Sequence, residues 1–346
     1  MPESRLSAPL RIVSIGGGSG LATLLRGLKR YAKVGGGLVD ITAVVTVTDD
    51  GGSSGRLRRE FDVLPPGDIR SCMVALSEDE LLLARLFQYR FSNGRGLKGH
   101  SFGNLFLTAM THLTGDFSHA VKLSAEVLAV VGRIYPSTAA NVVLEAILVD
   151  GTKVAGETRI SRSKSRIHRI ALRPRRPKPL AETLEAMARA DLITLGPGSL
   201  FTSVIPNLLV DGIPQAIAAS PALKAYFVNL MSQPGETTNF RASDHLAALL
   251  RHCGRNLPRP LIDVCVINTR PISGKAVERY QAHAARPIDN DVENLERLGV
   301  EVLGTDLLRM SGRRFQEKIR HDPGAIGAVA FELAEQGRLA NRKRAS

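Results

Sequence analysis

Apolar runs alternate with helical patterns in the first part of the chain. Residues 10–15 form a short, β-rich apolar run that ends in a glycine-rich loop. The leucines within 21–28 then fall at i, i+3, i+4 and i+7, which is the spacing of one helix face. A second apolar run, 39–47, is nearly continuous, as is typical of a parallel strand buried on both faces. This order of strand, helix and strand predicts a βαβ unit.

The alternation continues to about residue 306. Asp150 and Gly151 separate two apolar runs, 142–149 and 153–160, and therefore predict a β-hairpin, to which 167–172 adds a third short strand. Elsewhere the patterns predict helices near 78–90, 104–113, 117–130, 180–189 and 244–252, a helix from about residue 200, and strands at 191–195, 224–230 and 261–267. The predicted fold is α/β: a Rossmann-like, doubly wound, mainly parallel sheet in three α/β/α layers, with a small antiparallel β insertion.

We expect a single Rossmann-like domain over residues 9–308, with the β-rich, basic insertion at about 142–178. Residues 309–346 are expected to form a helical, basic C-terminal extension whose last part, rich in arginine, is disordered.

The net charge of +13 is concentrated in two segments. Residues 159–178 hold nine Lys or Arg and no acid, and residues 310–346 hold eight against four acids, so the rest of the chain is neutral. Neither segment has the interleaved aromatic side chains that stack on bases, so nucleic-acid binding is not favoured. An acidic membrane surface or an acidic partner protein would explain the same charges.

The three cysteines are scattered and show no CxxC spacing, which favours neither a disulfide framework nor a zinc site. The first ten residues lack the pattern of a signal peptide, and no apolar run approaches the length of a membrane helix. The sequence therefore predicts a cytoplasmic protein that is not integral to a membrane.

Two glycine-rich turns follow predicted strands, at 16–20 and 196–199. Glycines let a phosphate approach backbone N–H groups, and a following helix N-terminus favours an anion. Leu21 breaks the dinucleotide pattern GxGxxG and no P-loop lysine is present, so the pattern indicates general phosphate binding; a simple tight turn is the alternative. The candidate ligand-binding residues in and after these turns are Gly16, Gly17, Gly18, Ser19, Gly20, Gly196, Pro197, Gly198, Ser199 and Ser203.

Nine polar or small residues, 48–56, follow the second predicted strand. A carboxylate here would bind ribose hydroxyls, and a second one would hold Mg²⁺ beside phosphates. Asp50 is the candidate metal ligand; the alternative is a solvated loop in which Asp50 caps a helix. The candidate ligand-binding residues of this segment are Asp49, Asp50, Gly51, Ser53, Ser54 and Arg56, with the glycines and serines predicted to form a flexible anion cradle.

Weaker candidates lie further along the chain. Asp68, at the start of a predicted helix, is a second candidate for holding Mg²⁺. His100 and Asn104 would contact the ligand or cap a helix. Asn229 ends a predicted strand and would orient the ligand. Asn229, Glu236 and Thr237 are candidates for contacting its base or sugar.

Several of these motifs together resemble one bacterial family. They are GGGSGLATLLRGLK, VTVTDDGGSSGRLRRE, PPGDIRSC, GHSFGNLFL, GPGSLFTSVIPNLLV and NLMSQPGET, in this order. The chain is similar over about 11–253 to the bacterial gluconeogenesis factors, within the superfamily of 2-phospho-L-lactate transferases. Ser19 stands where that family usually has Thr, which preserves the hydroxyl.

The resemblance implies a cytoplasmic homodimer that binds a nucleotide or UDP-sugar. It also implies a regulatory role in cell shape and envelope synthesis during growth on gluconeogenic carbon sources, and hence a protein partner in envelope synthesis. The alternative is a transferase that moves a phospholactyl-type group from a nucleotide carrier, with Mg²⁺ and with Asp50 and Asp68 as its catalytic residues. A third hypothesis is an interaction scaffold that uses the basic segment 159–178.

Overall fold

Ten strands form two sheets in the computed structural model, which describes residues 8–32, 37–78, 82–163, 165–254, 257–272, 274–309 and 319–345. The strands, in chain order, are β1 (Leu10–Gly16), β2 (Val39–Val45), β3 (Arg133–Pro136), β4 (Val143–Leu148), β5 (Lys153–Ala155), β6 (Ile167–Arg173), β7 (Leu192–Leu195), β8 (Leu223–Phe227), β9 (Val264–Asn268) and β10 (Glu301–Thr305).

The larger sheet has seven parallel strands in the order β10-β9-β8-β7-β1-β2-β3. The chain moves outward from β1 in one direction through β2 and β3, and returns to pair β7 on the other side of β1. The carboxyl ends of β1 and β7 therefore lie at the point where the strand order reverses, which is where open α/β sheets bind ligands. This sheet confirms the predicted doubly wound fold.

The helices, in chain order, are α1 (Gly18–Leu28), α2 (Gly52–Phe61), α3 (Gly67–Leu76), α4 (Leu82–Gln88), α5 (Phe102–Thr114), α6 (Phe117–Val127), α7 (Glu157–Ser161), α8 (Ala181–Arg189), α9 (Ile205–Leu208), α10 (Ile213–Ala219), α11 (Ala242–His252), α12 (Lys275–Gln281), α13 (Val292–Arg297) and α14 (Pro323–Ala345). A short 3₁₀ turn, Lys29–Tyr31, follows α1, and a π-helical turn, Leu200–Val204, precedes α9.

The helices flank the central sheet in two groups. Helices α3 and α14 both pack against α1, and α8, α9 and α10 form the second group, with α8 and α9 against β1. Every residue of β7 is buried, as are all but one in each of β1 and β2. This burial explains why their sequences are almost continuously apolar.

The antiparallel insertion is a three-stranded sheet in the order β5-β4-β6. The predicted second hairpin strand, 153–160, is wrong beyond Ala155. Gly156 has a positive φ of 94° and turns the chain, and α7 follows directly. The hairpin is therefore shorter than predicted, and α7 lies where the strand was expected to continue.

Several elements were not predicted. Helices α2 and α3 have polar or glycine-rich starts that hide their helical pattern, so the expected flexible cradle of glycines and serines is in fact the first turn of α2. Strands β3 and β10 are short, and β10 has no residue that is fully buried. Of the predicted helix 78–90, only α4 is helical among the described residues.

The C-terminal segment differs from the expected disordered tail, because α14 is helical as far as Ala345. Its buried side chains include Ile326, Ala330 and Leu333, and it packs against α1, β1, β7 and β8. Helix α14 thus belongs to the helices that cover the central sheet. Residues 310–318, also within the predicted extension, lie outside the described residues.

Candidate functional site

The two glycine turns lie in direct contact at the switch point of the sheet. Strands β1 and β7 are paired, so the turns that follow them are neighbours. A Cβ on Gly20 would lie 2.2 Å from the backbone oxygen of Pro197 and 2.8 Å from the Cα of Gly198. Only glycine permits this approach, which explains why the first turn carries glycine at its helical end.

A cavity of about 220 Å³ opens between these turns. Nine of the predicted ligand-binding residues line it: Gly17, Gly18, Ser19, Gly20, Pro197, Gly198, Ser199, Ser203 and Asn229. The sequence patterns did not indicate the other lining residues, which are Thr23, Leu230, Met231, Gln233, Tyr280, Ile319, Arg320 and His321. Arg320 and His321 come from a distant part of the chain that has no motif of its own.

The second turn is held in place by side chains at the end of β8. The amide of Asn229 donates through Nδ2 to the carbonyl oxygen of Gly198 at 2.8 Å and accepts from the Gly198 N–H at 3.2 Å. Gln233 donates through Nε2 to Ser199 Oγ at 2.8 Å. Asn229 therefore fixes both polar groups of Gly198.

The first glycine turn leads directly into the N-terminus of α1. Helix α1 begins at Gly18 and has no side-chain cap, so the N–H groups of Ser19 and Gly20 have no partner within the helix. Unpaired N–H groups and the positive end of the helix dipole are both favourable to an anion.

Asp68 lies beside the same turn, because a Cβ on Gly17 would lie 2.6 Å from its Oδ2. Burial and then the nearby charge of Asp49 raise the pKa of Asp68 to about 7, while the Gly18 N–H and the charge of Arg70 act in the opposite direction. Asp68 is therefore poised between its protonated and ionised forms near neutral pH.

Asp50, the candidate metal ligand, is engaged with the insertion. Its Oδ1 accepts hydrogen bonds from the Thr158 N–H at 2.9 Å and from Thr158 Oγ1 at 2.7 Å. Asp50 thus caps α7, which is the structural alternative that its sequence context allowed. Asp49 Oδ1 accepts from the Gly51 N–H at 2.8 Å, and a Cβ on Gly67 would lie 2.6 Å from Asp49 Oδ2.

Two further carboxyl groups lie near these aspartates, the half-buried Glu157 and the buried Glu236. Burial and then the charges of Asp49 and Asp68 raise the pKa of Glu157 to about 9. Burial also raises the pKa of Glu236, which accepts hydrogen bonds from Ser161, Thr202 and the Phe201 N–H. Glu236, which was expected to contact the ligand, instead joins α7 to the π-helical turn. Thr237 is also buried, with Oγ1 accepting from the Gln233 N–H.

The positions of these acids decide which of them could hold a divalent cation. In the part of the chain that the structure describes, no three His, Cys, Asp or Glu side chains are grouped so that they would hold a metal ion. Mg²⁺ commonly needs only one or two carboxylates beside ligand phosphates. Asp68 lies beside the first glycine turn, and Asp49 is the carboxylate whose charge acts on it, so the pair that best matches this need is Asp49 and Asp68.

Four of the predicted residues form a separate, buried hydrogen-bond cluster between α2 and α5. Ser53 Oγ lies 3.0 Å from His100 Nδ1, and Asn104 donates through Nδ2 to Ser54 Oγ at 3.2 Å. Burial is the main cause of the lowered pKa of His100. These contacts fasten α2 to α5. The predicted residues that do not line the cavity are Gly16, Asp49, Asp50, Gly51, Ser53, Ser54, Arg56, Asp68, His100, Asn104, Gly196, Glu236 and Thr237.

A larger cavity, of about 500 Å³, lies on the antiparallel insertion. It lacks glycine turns and helix N-termini, so we do not regard it as the phosphate-binding site. Its basic lining residues are Lys153, Arg169, Arg173, Arg175 and Arg176. Of these, Arg173 is paired with Glu145 at 2.6 Å. Much of the basic segment 159–178 thus lies on or beside this small sheet.

The described residues contain no single helix with the length and apolarity of a membrane span. Two consecutive helical segments, Leu200–Leu208 and Ile213–Ala219, reach that length and apolarity only when they are counted together, and the chain bends by 75° between them.

The fold and the paired glycine turns define the class: a Rossmann-like α/β protein with a cleft between two glycine turns at the switch point of its sheet. The chain belongs to the family described as 2-phospho-L-lactate transferase CofD, whose profile matches residues 12–308.

The chain is also similar to named bacterial relatives. It is 45% identical over 326 residues to the gluconeogenesis factor of Bacillus subtilis, covering 94% of this chain and 98% of that protein. The gluconeogenesis factor of Halalkalibacterium halodurans is 46% identical over 315 residues, covering 89% and 95%. A crystal structure of a Bacillus halodurans protein superposes with a TM-score of 0.87 at 44% identity, covering 93% and 99%. These findings confirm the resemblance inferred from the motifs.

Proposed function

We propose that this protein binds a nucleotide diphosphate ligand, such as a UDP-sugar, with the diphosphate between the two glycine turns. The observation that supports this most directly is the contact between Gly20 and Pro197, which brings two turns and the N-terminus of α1 to one cavity. Ser19, Ser199 and Ser203 supply hydroxyl groups at the same place. We assign the protein to the cytoplasm and expect it to be a homodimer.

Its proposed role is regulatory. The relatives named gluconeogenesis factor support a function during growth on gluconeogenic carbon sources. We propose that ligand binding there controls cell morphogenesis and envelope synthesis. Deleting the gene should then change cell shape on such carbon sources, and a cavity variant that no longer binds the ligand should fail to restore it.

Isothermal titration of the purified protein with UDP, UDP-glucose, UDP-N-acetylglucosamine and GDP tests the ligand. We expect binding to at least one of them, weakened by Asn229→Ala, which releases Gly198. Asn290→Ala, which makes the same change at a position that does not line the cavity, should leave binding unchanged. Absence of binding to all four by folded protein would contradict the proposal.

A second candidate function is supported by the family and by the buried carboxylates. In this alternative the protein transfers a phospholactyl-type group from a nucleotide carrier, and Mg²⁺ would be held by Asp49 and Asp68 beside the ligand phosphates. The ion would supply charge neutralisation there. Asp50, first expected to be catalytic, would position α7 through Thr158.

The variant Asp68→Asn separates the two functions. If Asp68 holds Mg²⁺, the variant loses the part of the nucleotide affinity that depends on Mg²⁺, and any turnover with a deazaflavin acceptor stops. If the carboxylate only adjoins the anion site, removing its charge strengthens nucleotide binding without Mg²⁺ at pH 8.

The basic insertion supports a proposed protein partner in envelope synthesis. Five Lys or Arg residues line one cavity with a single acid, Glu145, so an acidic partner surface would be complementary. Reversing Arg175 and Arg176 to Glu should change the cellular localisation of the protein; unchanged localisation would count against this surface.

A further inference from the structure

A second cavity, of about 330 Å³, adjoins the one between the glycine turns. The two cavities share the lining residues Ser19, Thr23 and Arg320. The other polar residues that line the second cavity are Arg26, Arg70, Ser71, Gln88 and Arg90. Most of its exposed lining is polar, and none of the described residues in that lining is acidic.

Four arginines from four parts of the fold meet at this cavity. Arg26 lies in the last turn of α1, Arg70 on α3, Arg90 after α4 and Arg320 shortly before α14. Among the described residues, none of the four forms an ion pair with a carboxylate within 4.0 Å. The charges of Asp68 and Asp49 act on Arg70, but neither of these acids lines the cavity. The four arginines therefore give the cavity an excess of positive charge, which favours an anion.

Arg70 is already oriented by the protein. Its Nη1 donates to Ser101 Oγ, the cap of α5, at 2.8 Å, whereas its Nε is buried without a hydrogen-bond partner. Arg90 is similarly fixed, since its Nη1 donates to the Gly99 carbonyl at 2.6 Å. Guanidinium groups that are pre-positioned in this way suit phosphate or carboxylate oxygens, which accept paired hydrogen bonds from arginine.

We propose that this arginine cavity is a second anion subsite, which binds a phosphate or carboxylate group next to the diphosphate held by the glycine turns. The assignment deepens the proposed function and rests on it for the identity of the first ligand. Two sources supply the same chemistry: an acidic group at the far end of the nucleotide-linked ligand, or a separate small phosphorylated molecule that binds beside it.

The first experiment titrates inorganic phosphate into protein that has been saturated with UDP. Replacing Arg26 or Arg320 by Gln should weaken phosphate binding by about 10-fold, because each loses a charge-assisted contact. Arg30→Gln is the matched control: it removes the same charge one helical turn from Arg26, at an exposed position that does not line the cavity. Circular dichroism checks that each variant is folded before it is titrated.

A second arm distinguishes the sources. UDP-glucuronate carries a carboxylate that UDP-glucose lacks. If the acidic group belongs to the nucleotide-linked ligand, the wild type and Arg30→Gln prefer UDP-glucuronate by about 10-fold and Arg26→Gln does not. If the anion is a separate molecule, the two sugars bind equally and inorganic phosphate still binds in the presence of either.

A thermal measurement covers the case in which no nucleotide binds. Phosphate alone should raise the unfolding midpoint of the wild type and of Arg30→Gln more than that of Arg26→Gln and Arg320→Gln, since a ligand stabilises the state it binds. If no nucleotide binds but the variants still differ in this way, the proposed function is refuted and the anion subsite is supported. Phosphate binding that is identical in all four proteins would refute the subsite.

Discussion

Gly20 is the residue on which the cavity between the turns most depends. A Cβ there would lie 2.2 Å from the Pro197 oxygen, and both groups belong to backbone that cannot rotate away. We expect Gly20→Ala to separate the turns, to lower the free energy of unfolding by about 1–3 kcal/mol, and to abolish nucleotide binding. Chemical denaturation and titration measure the two effects.

Gly16→Ala is the control for the stability effect, because its Cβ would meet Leu21 at an ordinary 3.5 Å. Its φ lies outside the positive region that disfavours other residues. A loss of stability in Gly16→Ala as large as in Gly20→Ala would show that close approach of the turns is not the cause.

Asp68 gives stability a dependence on pH. Its pKa is about 7 in the folded protein, against 3.8 for the free side chain. The folded state therefore holds the proton more tightly, so this stabilisation is complete below pH 3.8 and is lost as pH rises through 7. Asp68→Asn lacks this loss, so its stability relative to wild type should rise by on the order of 4 kcal/mol between pH 4 and pH 8. Urea unfolding of both proteins across this pH range measures the effect. A difference in the free energy of unfolding that stays constant with pH would contradict the raised pKa of Asp68.

At the scale of single residues, the sequence predicted the position of the glycine turns better than the contacts of the acids. A glycine-rich turn between a strand and a helix is a specific pattern, and both turns line the cavity. Asp50, in contrast, could bind a metal or cap a helix equally well, and its partner Thr158 is 108 residues away. Arg320 and His321 were missed because only the folded chain brings them to the turns.

The insertion is an element fastened to the body at several points. Asp50 binds Thr158, Glu236 binds Ser161, and His252 Nε2 accepts from the Ile170 N–H at 3.1 Å. Burial lowers the pKa of His252 to about 4, which keeps the ring neutral and its Nε2 an acceptor.

We expect Thr158→Val to loosen this attachment. It removes the hydroxyl donor to Asp50 and should cost about 1–3 kcal/mol, because the acceptor is charged. Hydrogen exchange should then quicken in β4, β5 and α7 more than in β1. Thr158→Ser keeps the hydroxyl and should behave as wild type; equal exchange in the two variants would argue against the anchor.

Helices α1 and α14 meet at paired glycines. A Cβ on Gly27 would lie 1.9 Å from the Pro323 oxygen, and one on Gly327 would lie 2.6 Å from the Gly27 carbonyl carbon. Gly327→Ala should therefore lower the free energy of unfolding by about 1–3 kcal/mol despite the better helix propensity of alanine. Gln336→Ala, at an exposed position of the same helix, is the control, and thermal unfolding compares them.

Element prediction succeeded where periodicity was strong and failed where tertiary contacts decide the structure. Strands β1 and β2 were evident because both faces are buried. The end of α14 was mistaken for a disordered tail because its last residues are polar and basic. Its order depends on contacts that the sequence does not display: Arg338 pairs with Asp191 at 2.6 Å and donates to the Pro9 carbonyl at 2.5 Å.

At the scale of the whole molecule, the four groups with the values that follow should together leave stability nearly level from about pH 4.5 to 6.5 and lower it at higher pH. Burial lowers the pKa of both His252 and His321 to about 4, so the stability they contribute is present above pH 6.5 and is lost as pH falls towards 4. Asp68 and Glu157 act in the opposite sense, with folded pKa values of about 7 and 9. Between pH 4.5 and 6.5 the two histidines make stability increase with pH, and the two carboxyl groups make it decrease by a similar amount, so the two effects nearly cancel.

Above pH 6.5 these two histidines no longer contribute a slope, and above pH 7 Glu157 still does, because its folded pKa is about 9. Each such group changes the free energy of unfolding by about 1.4 kcal/mol per pH unit. Urea titrations at pH 5, 6, 7, 8 and 9 should therefore show a decline confined to the alkaline side, and Glu157→Gln should flatten it between pH 7 and 9. A wild type whose stability is constant or rises over that interval would contradict the raised pKa values of Asp68 and Glu157 in the folded protein.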